Sequence, residues 1–478
     1  MARIGRATWI VAARGAASAL LSLAACSGGG SAGPSGSIDL GFARDGLFIA
    51  DTGPVTRSTV ARFVTTDAAG RIWATGSTTE PGNAIYYRLL AGGRADPAFG
   101  TDGRLLDPPT ANDDSLFAVS GRAIFPALPG DGALLFAGAS GASCFGGPSC
   151  GPAGGFRIVT NGKITRVEDS GANRGSYGFD GIASVIAESV ADAVQDASGR
   201  LLVVLAPRVG AFVPRASLRV VRIDGSGAND AAFEASAAGA LDCPGIEPGS
   251  PALARVTVLP DGRILVVQSF VAAAPGSPRL CVSRLAPDGR PDASWGVEGR
   301  AVLDEPVVSA QAVLNLIGFF GNADGSAEIV VSYLPGGLDS RRPLFSVIPL
   351  TADGHRNPAR FGPDAFFARD SDPVALATAC TRDAQGRYLF AGFPVLWPAN
   401  ILIEQPRLSR YRADGLLDES FGASGPGYTG LRFETSAARL APQHVHDAGA
   451  SVVVAGNAVF DDPTVKSRFA VARLLTPR

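Results

Sequence analysis

Three histidines, six cysteines and a scatter of Asp-Gly pairs are the residues of this chain whose types could do chemistry. His444 and His446 stand two apart, which puts both imidazoles on one face of a strand, an arrangement that suits a metal ion. No third ligand accompanies them in the sequence and they come where a strand ends, so a surface or strand-end role competes with metal binding. His355 falls in a turn and is expected to be solvated. A serine nucleophile would need a histidine held beneath it, and no Gly-x-Ser-x-Gly elbow marks a place for one. The Asp-Gly pairs lack the alternating acidic positions and closing Glu of an EF-hand loop, so they read as turns. No glycine loop precedes a helix that could receive a phosphate. The chain therefore offers no catalytic residue and no cofactor site to name.

The cysteines carry a different message. Arg3, Arg6 and Arg14 precede a short apolar run, Gly15 to Leu23, and the run ends in Leu23-Ala24-Ala25-Cys26 followed by a Gly/Ser-rich tract to Gly36. Charge, apolar run and small residues come in the order of an export signal. The tetrad resembles a bacterial lipobox, which implies cleavage before Cys26 and lipidation of that cysteine; an ordinary secretory signal cut near Ala25 is the alternative. Residues 1–25 are then a signal, 26–37 a flexible tether, and 38–478 the folded body. Ser27 after the cysteine favours an outer-membrane address. Export permits disulfides. Cys144 and Cys150 bracket one loop and are a candidate bridge; Cys243 and Cys281 are a second. Cys380, in a predicted first strand, is left as a small buried apolar residue.

Charge excludes one class of partner. Lys plus Arg number 42 against 44 Asp plus Glu, so the chain has no footprint for nucleic acid. Beyond the N-terminus no stretch approaches the roughly 20 consecutive apolar residues of a spanning helix.

What must position any site is a repeat. Its most complete copy runs from Val256 to Arg300. Two β-rich runs meet at Pro260-Asp261-Gly262, a third is Leu280-Cys-Val-Ser-Arg-Leu285, and a corner, Asp292-Ala-Ser-Trp-Gly296, leads into a fourth. The corner recurs at Asp39, Asp96, Asp230, Asn357 and Asp418, and in degraded form at Gly175-Ser-Tyr-Gly178. Four short strands per unit make a propeller blade. The chain stops after a third strand, Phe469 to Leu474, and begins past the tether with a corner and a fourth, Asp39 to Ala50. A ring closes if that N-terminal strand completes the last blade, which removes an exposed edge. The expectation is an all-β, single closed β-propeller of seven four-stranded blades, monomeric.

These units resemble the delta-sixty repeat family of bacterial propeller-like proteins, on Leu259 to Arg263, Arg284 to Gly296, Arg410 to Gly422 and Phe469 to Leu474. The resemblance implies the fold and an envelope setting and brings no catalytic residue.

First hairpins and corners share one face of such a disc and are short. The opposite face carries connections of unequal length, where recognition usually resides. Phe145, Phe212, Arg341, Arg342, Trp397, Asp461 and Asp462 are the binding candidates there. The reading is an envelope-anchored binding or scaffolding module whose partners are the membrane, through lipid, and an envelope protein or glycan. The alternative is a periplasmic hydrolase, lyase or quinone-dependent dehydrogenase working at the central channel, which carboxylates, Arg and His converging at a channel mouth would favour.

Overall fold

The computed structural model describes residues 35–50, 59–78, 83–107, 116–126, 132–144, 156–178, 182–185, 189–206, 218–243, 251–270, 279–304, 313–334, 345–361, 374, 376–396, 401–402, 405–433, 436, 438–461 and 467–476. Cys26, Phe145, Cys150, Phe212, Arg341, Arg342, Trp397 and Asp462 lie outside them, as does the side chain of Cys144.

The folded unit, Pro34–Arg478, is a ring of antiparallel sheets. Blade 4 shows the pattern: strands Pro251–Val258, Ile264–Phe270, Arg279–Leu285 and Arg300–Asp304 pair in chain order. Its first turn works as the sequence predicts. Leu259 N–H donates to the Arg263 carbonyl and Gly262 N–H to the Leu259 carbonyl, Asp261 Oδ1 accepts from Arg263 N–H at 3.1 Å, and Gly262 takes the left-handed φ of 85°. Blades 1, 2 and 6 are built alike, from Thr59–Thr66, Leu116–Pro126 and Leu376–Arg382 outward. Among the described residues blades 3 and 5 have three strands each, beginning at Ser189–Gln195 and Val313–Gly321.

The seventh blade closes the ring as the sequence requires. Its strands Ala438–Asp447, Ser451–Phe460 and Arg468–Leu475 receive Leu47–Ile49 as the outer strand, with Leu47, Phe48 and Ile49 opposite Ala472, Val471 and Ala470, while the short Arg432–Phe433 pairs at the other edge and makes the sheet five-stranded. Ile38 bridges to Leu474 just before it.

Packing between sheets explains the composition of the middle strands. In blade 3, Leu201, Val203 and Leu205 face blade 2 while Leu202 and Val204 face blade 4. Val452 and Val454 likewise face blade 6, and Val453 and Ala455 face blade 1. A strand buried on both faces is apolar without alternation, which is why these runs read as continuous Leu and Val. Each of the seven buried clusters draws on two adjacent blades, the last on blades 7 and 1.

The sequence shows no helix, but among the described residues two short ones occupy corners. Ala231–Ala237 follows Asp230, whose Oδ1 accepts from Phe233 N–H at 3.0 Å. The N-cap carboxylate and the alanine-rich stretch after it favour a helical turn where other corners only bend. Pro358–Phe361 is the other.

Candidate functional site

The repeated corner motif proves to be a clamp between blades. Arg284, at the end of a third strand, donates from Nε to Asp292 Oδ2 at 2.9 Å and from Nη1 to the Ala352 carbonyl of blade 5 at 2.7 Å. Its guanidinium lies 5.5 Å above the ring of buried Trp295. Asp292 Oδ1 accepts from both the N–H and the hydroxyl of Ser294, which fixes the corner. Arg88 with Asp96, Arg222 with Asp230, Arg410 with Asp418 and Arg473 with Asp39 repeat the ion pair. Phe99, Phe233, Phe421 and Phe42 take the place of the tryptophan. The motif residues are thus consumed by architecture.

Two blades lack the pair and show how the fold tolerates it. In blade 2, Arg174 stands at the acidic position, yet Tyr177 fills the aromatic slot and Gly178 N–H still donates to Ser226 O at 2.6 Å. In blade 5, Pro349 replaces the arginine. There Glu328, fully buried on the second strand, binds Arg382 Nη1 at 2.7 Å, accepts from the Tyr388 hydroxyl at 2.6 Å and pairs with Arg360 of the corner. Arg382 and Tyr388 belong to blade 6, so this network joins the same seam by other residues.

The polar groups that could do chemistry line the channel. First strands of neighbouring blades abut at six of the seven seams, and six of the seven break register at one level with a bulge, at Arg62, Arg122, Ala191, Ile317, Thr378 and Gln443. A bulge bends the strand and re-aims the next side chain. One residue further on, the side chain of one blade reaches the backbone of the next: Asp192 Oδ2 accepts from Val256 N–H at 2.9 Å, and His444 Nδ1 accepts from Val64 N–H at 3.4 Å. The second contact assigns the neutral imidazole proton to Nε2. His446 Nε2 lies 3.0 Å from Thr66 Oγ1, and the Phe63 ring packs 4.4 Å from the His444 ring. Arg255 Nη1 stands 3.9 Å from Asp192 Oδ1.

Burial governs how these groups titrate. It holds His444 down to about 3, helped by the like charges of His446 and Arg255, and His446 down to about 4. It pushes Asp192 up, against the attraction of Arg255 and two backbone N–H donors. A general base working near neutrality needs a pKa near the working pH, and neither histidine has one. Asp192, Arg255 and His444 do share one bore, but at mid-strand, and two of the three are spent on neighbouring backbone.

Both histidines of the suspected metal pair are engaged with blade 1, and among the described residues no group of three ligating side chains forms. His355 is exposed, its N–H bonded to Thr351 Oγ1. Cys243 and Cys281 are joined in a disulfide, Cα to Cα 6.3 Å. Cys380 is free and half-buried, and burial pushes its thiol well up. Asp461 is exposed between Arg432 at 3.5 Å and Arg439 at 3.3 Å. Sequence reasoning missed Asp192, Arg255 and Glu328, none of which belongs to the repeated pattern.

The chain is a seven-bladed β-propeller. A family model described as a domain of unknown function (DUF5122) beta-propeller matches residues 259–294, from the first turn to the corner of blade 4. No curated protein matches in sequence. Among solved structures, the polysaccharide lyase Uly1 is similar at 9% identity over 92% of each chain, with a TM-score of 0.46. A protein of unknown function from Dyadobacter fermentans DSM 18053 is similar at 12% identity, over 90% of this chain and 99% of its own, with a TM-score of 0.39. A luciferin-regenerating enzyme shows 12% identity over 74% and 91%, with a TM-score of 0.34. Likenesses of this order concern the course of the chain and say nothing of activity.

Proposed function

We propose that this propeller is a binding or scaffolding module of the bacterial cell envelope, of the delta-sixty repeat kind. It is held to the outer membrane by lipid on Cys26 and meets an envelope protein or glycan through its loop-bearing face. The observation that carries the reading is the use made of the channel groups. His444 and Asp192 are committed to Val64 and Val256, and neither histidine is poised for proton transfer near neutrality. A periplasmic enzyme with its centre in the bore would have to work with those groups.

Two measurements test this. Palmitate labelling and membrane fractionation of the wild type and Cys26→Ser examine the anchor: label and membrane association are expected in the first and lost in the second. A glycan array and in-cell crosslinking, run on the wild type and on a chain with residues 145–155 shortened, examine the loop face. Unchanged binding in the shortened chain counts against that loop. Turnover of any polysaccharide in a panel, abolished by His444→Gln, would overturn the binding reading in favour of the enzyme.

A further inference from the structure

A cavity of about 540 Å³ opens between the outer strand of blade 6, Tyr428–Gly430, and the incoming N-terminal segment. Ile38, Leu40, Leu431, Tyr428, Arg407 and Arg432 are on its wall. The size is that of a small-molecule site. Leu40 is 72% exposed there, and the fold does not demand a large apolar side chain at that place. The residue after the corner aspartate is Pro97, Ala231, Ala293 or Glu419 in other blades. Among the described residues the wall holds two arginines and neither Asp nor Glu. Arg407 Cζ lies over the Tyr428 ring, 4.4 Å from its centroid, a cation–π contact that holds it at the wall. Arg432 keeps more than half of its side chain in solvent, its contact to Asp461 being a surface pair.

An apolar wall beside two cations fits a ligand with a hydrocarbon body and one anionic end. We propose that this cleft binds a single-chain anionic amphiphile, its head at Arg432 and Arg407 and its chain along Leu40, Ile38 and Leu431. The inference does not depend on the loop-face reading, since the cleft uses different residues. A carboxylate and a phosphate head share the required chemistry, so both are tested.

The full chain is titrated calorimetrically with monomeric dodecanoate, dodecyl phosphate and dodecyltrimethylammonium. Saturable binding of either anion, weakened at least tenfold in both Leu40→Glu and Arg432→Glu with melting unchanged, is expected, with no binding of the cation. A preference for the phosphate assigns a phospholipid source, and a preference for the carboxylate a fatty acid. The proposal is overturned if neither anion binds saturably, if the cation binds equally well, or if both substitutions leave affinity intact. Both side chains are exposed, so loss of folding does not confound the result.

Discussion

Arg473 Nη2 lies 2.6 Å from Asp39 Oδ2, and this ion pair ties the last strand of the ring to its first corner. Both side chains are largely buried, and the arginine also reaches the Ala91 carbonyl of blade 1. Removing one partner of a buried pair leaves the other charge uncompensated. Asp39→Asn and Arg473→Ala should therefore each destabilise by about 3 kcal/mol, read as a shift in the denaturant midpoint. A midpoint unchanged in both would mean that the pair contributes little to closure.

Gly354 stands at φ +92°, and a Cβ there would come 2.7 Å from the ring of Trp295. The turn of blade 5 thus seats its backbone on the aromatic corner of blade 4, a contact only glycine permits. Gly354→Ala should cost roughly 1–3 kcal/mol through overpacking and strain, whereas Gly175→Ala, where a Cβ meets nothing within 4 Å, should cost far less. Equal melting temperatures for the two variants would contradict this.

The channel histidines give the stability a pH dependence of known sign. Their folded values, about 3 for His444 and about 4 for His446, lie below the unfolded value near 6.5. As pH falls below about 6.5 the unfolded chain takes up protons first. Stability from these groups is therefore complete above about 6.5 and is lost as pH falls toward 4 and then 3. Ring signals in an NMR titration should stay in the neutral position to below pH 5, and His444→Gln should flatten the acid limb of a stability profile. Folded-state titration of either ring near 6.5 would sink this account.

The disulfide between Cys243 and Cys281 spans 38 residues and should raise the free energy of unfolding by about 4 kcal/mol relative to the reduced chain. Cys281 is fully buried, so reductant added to the native protein should act slowly until denaturant is present. Coincident unfolding curves for the oxidised and reduced chains would show the link to be energetically idle.

What could be read in advance and what could not divides along physical lines. Asp292, Arg284 and the aromatic at Trp295 recur at fixed spacing because five of the blades use the same clamp, so repetition exposed them. Closure by Leu47–Ile49 followed from a strand missing at one end and surplus at the other. Glu328 was illegible because it replaces a corner aspartate from a different strand, and only the seam geometry shows that the two positions meet. Asp192 and His444 lie 252 residues apart and share a level only because blades 3 and 7 present their bulges at the same height. The short helix at Ala231–Ala237 was hidden for a local reason, since Asp230 is at once the corner aspartate and an N-cap.

Completion of the ring by two strands more than four hundred residues apart sets an order of events during biogenesis. A chain emerging N-terminus first holds Leu47–Ile49 without a partner until Arg468–Leu475 has followed. Contacts that join distant parts of a chain form slowly, and an unpaired strand invites proteolysis and mispairing meanwhile. A product cut short before that strand would leave Leu47–Ile49 unpaired and the Ser451–Phe460 edge of blade 7 open.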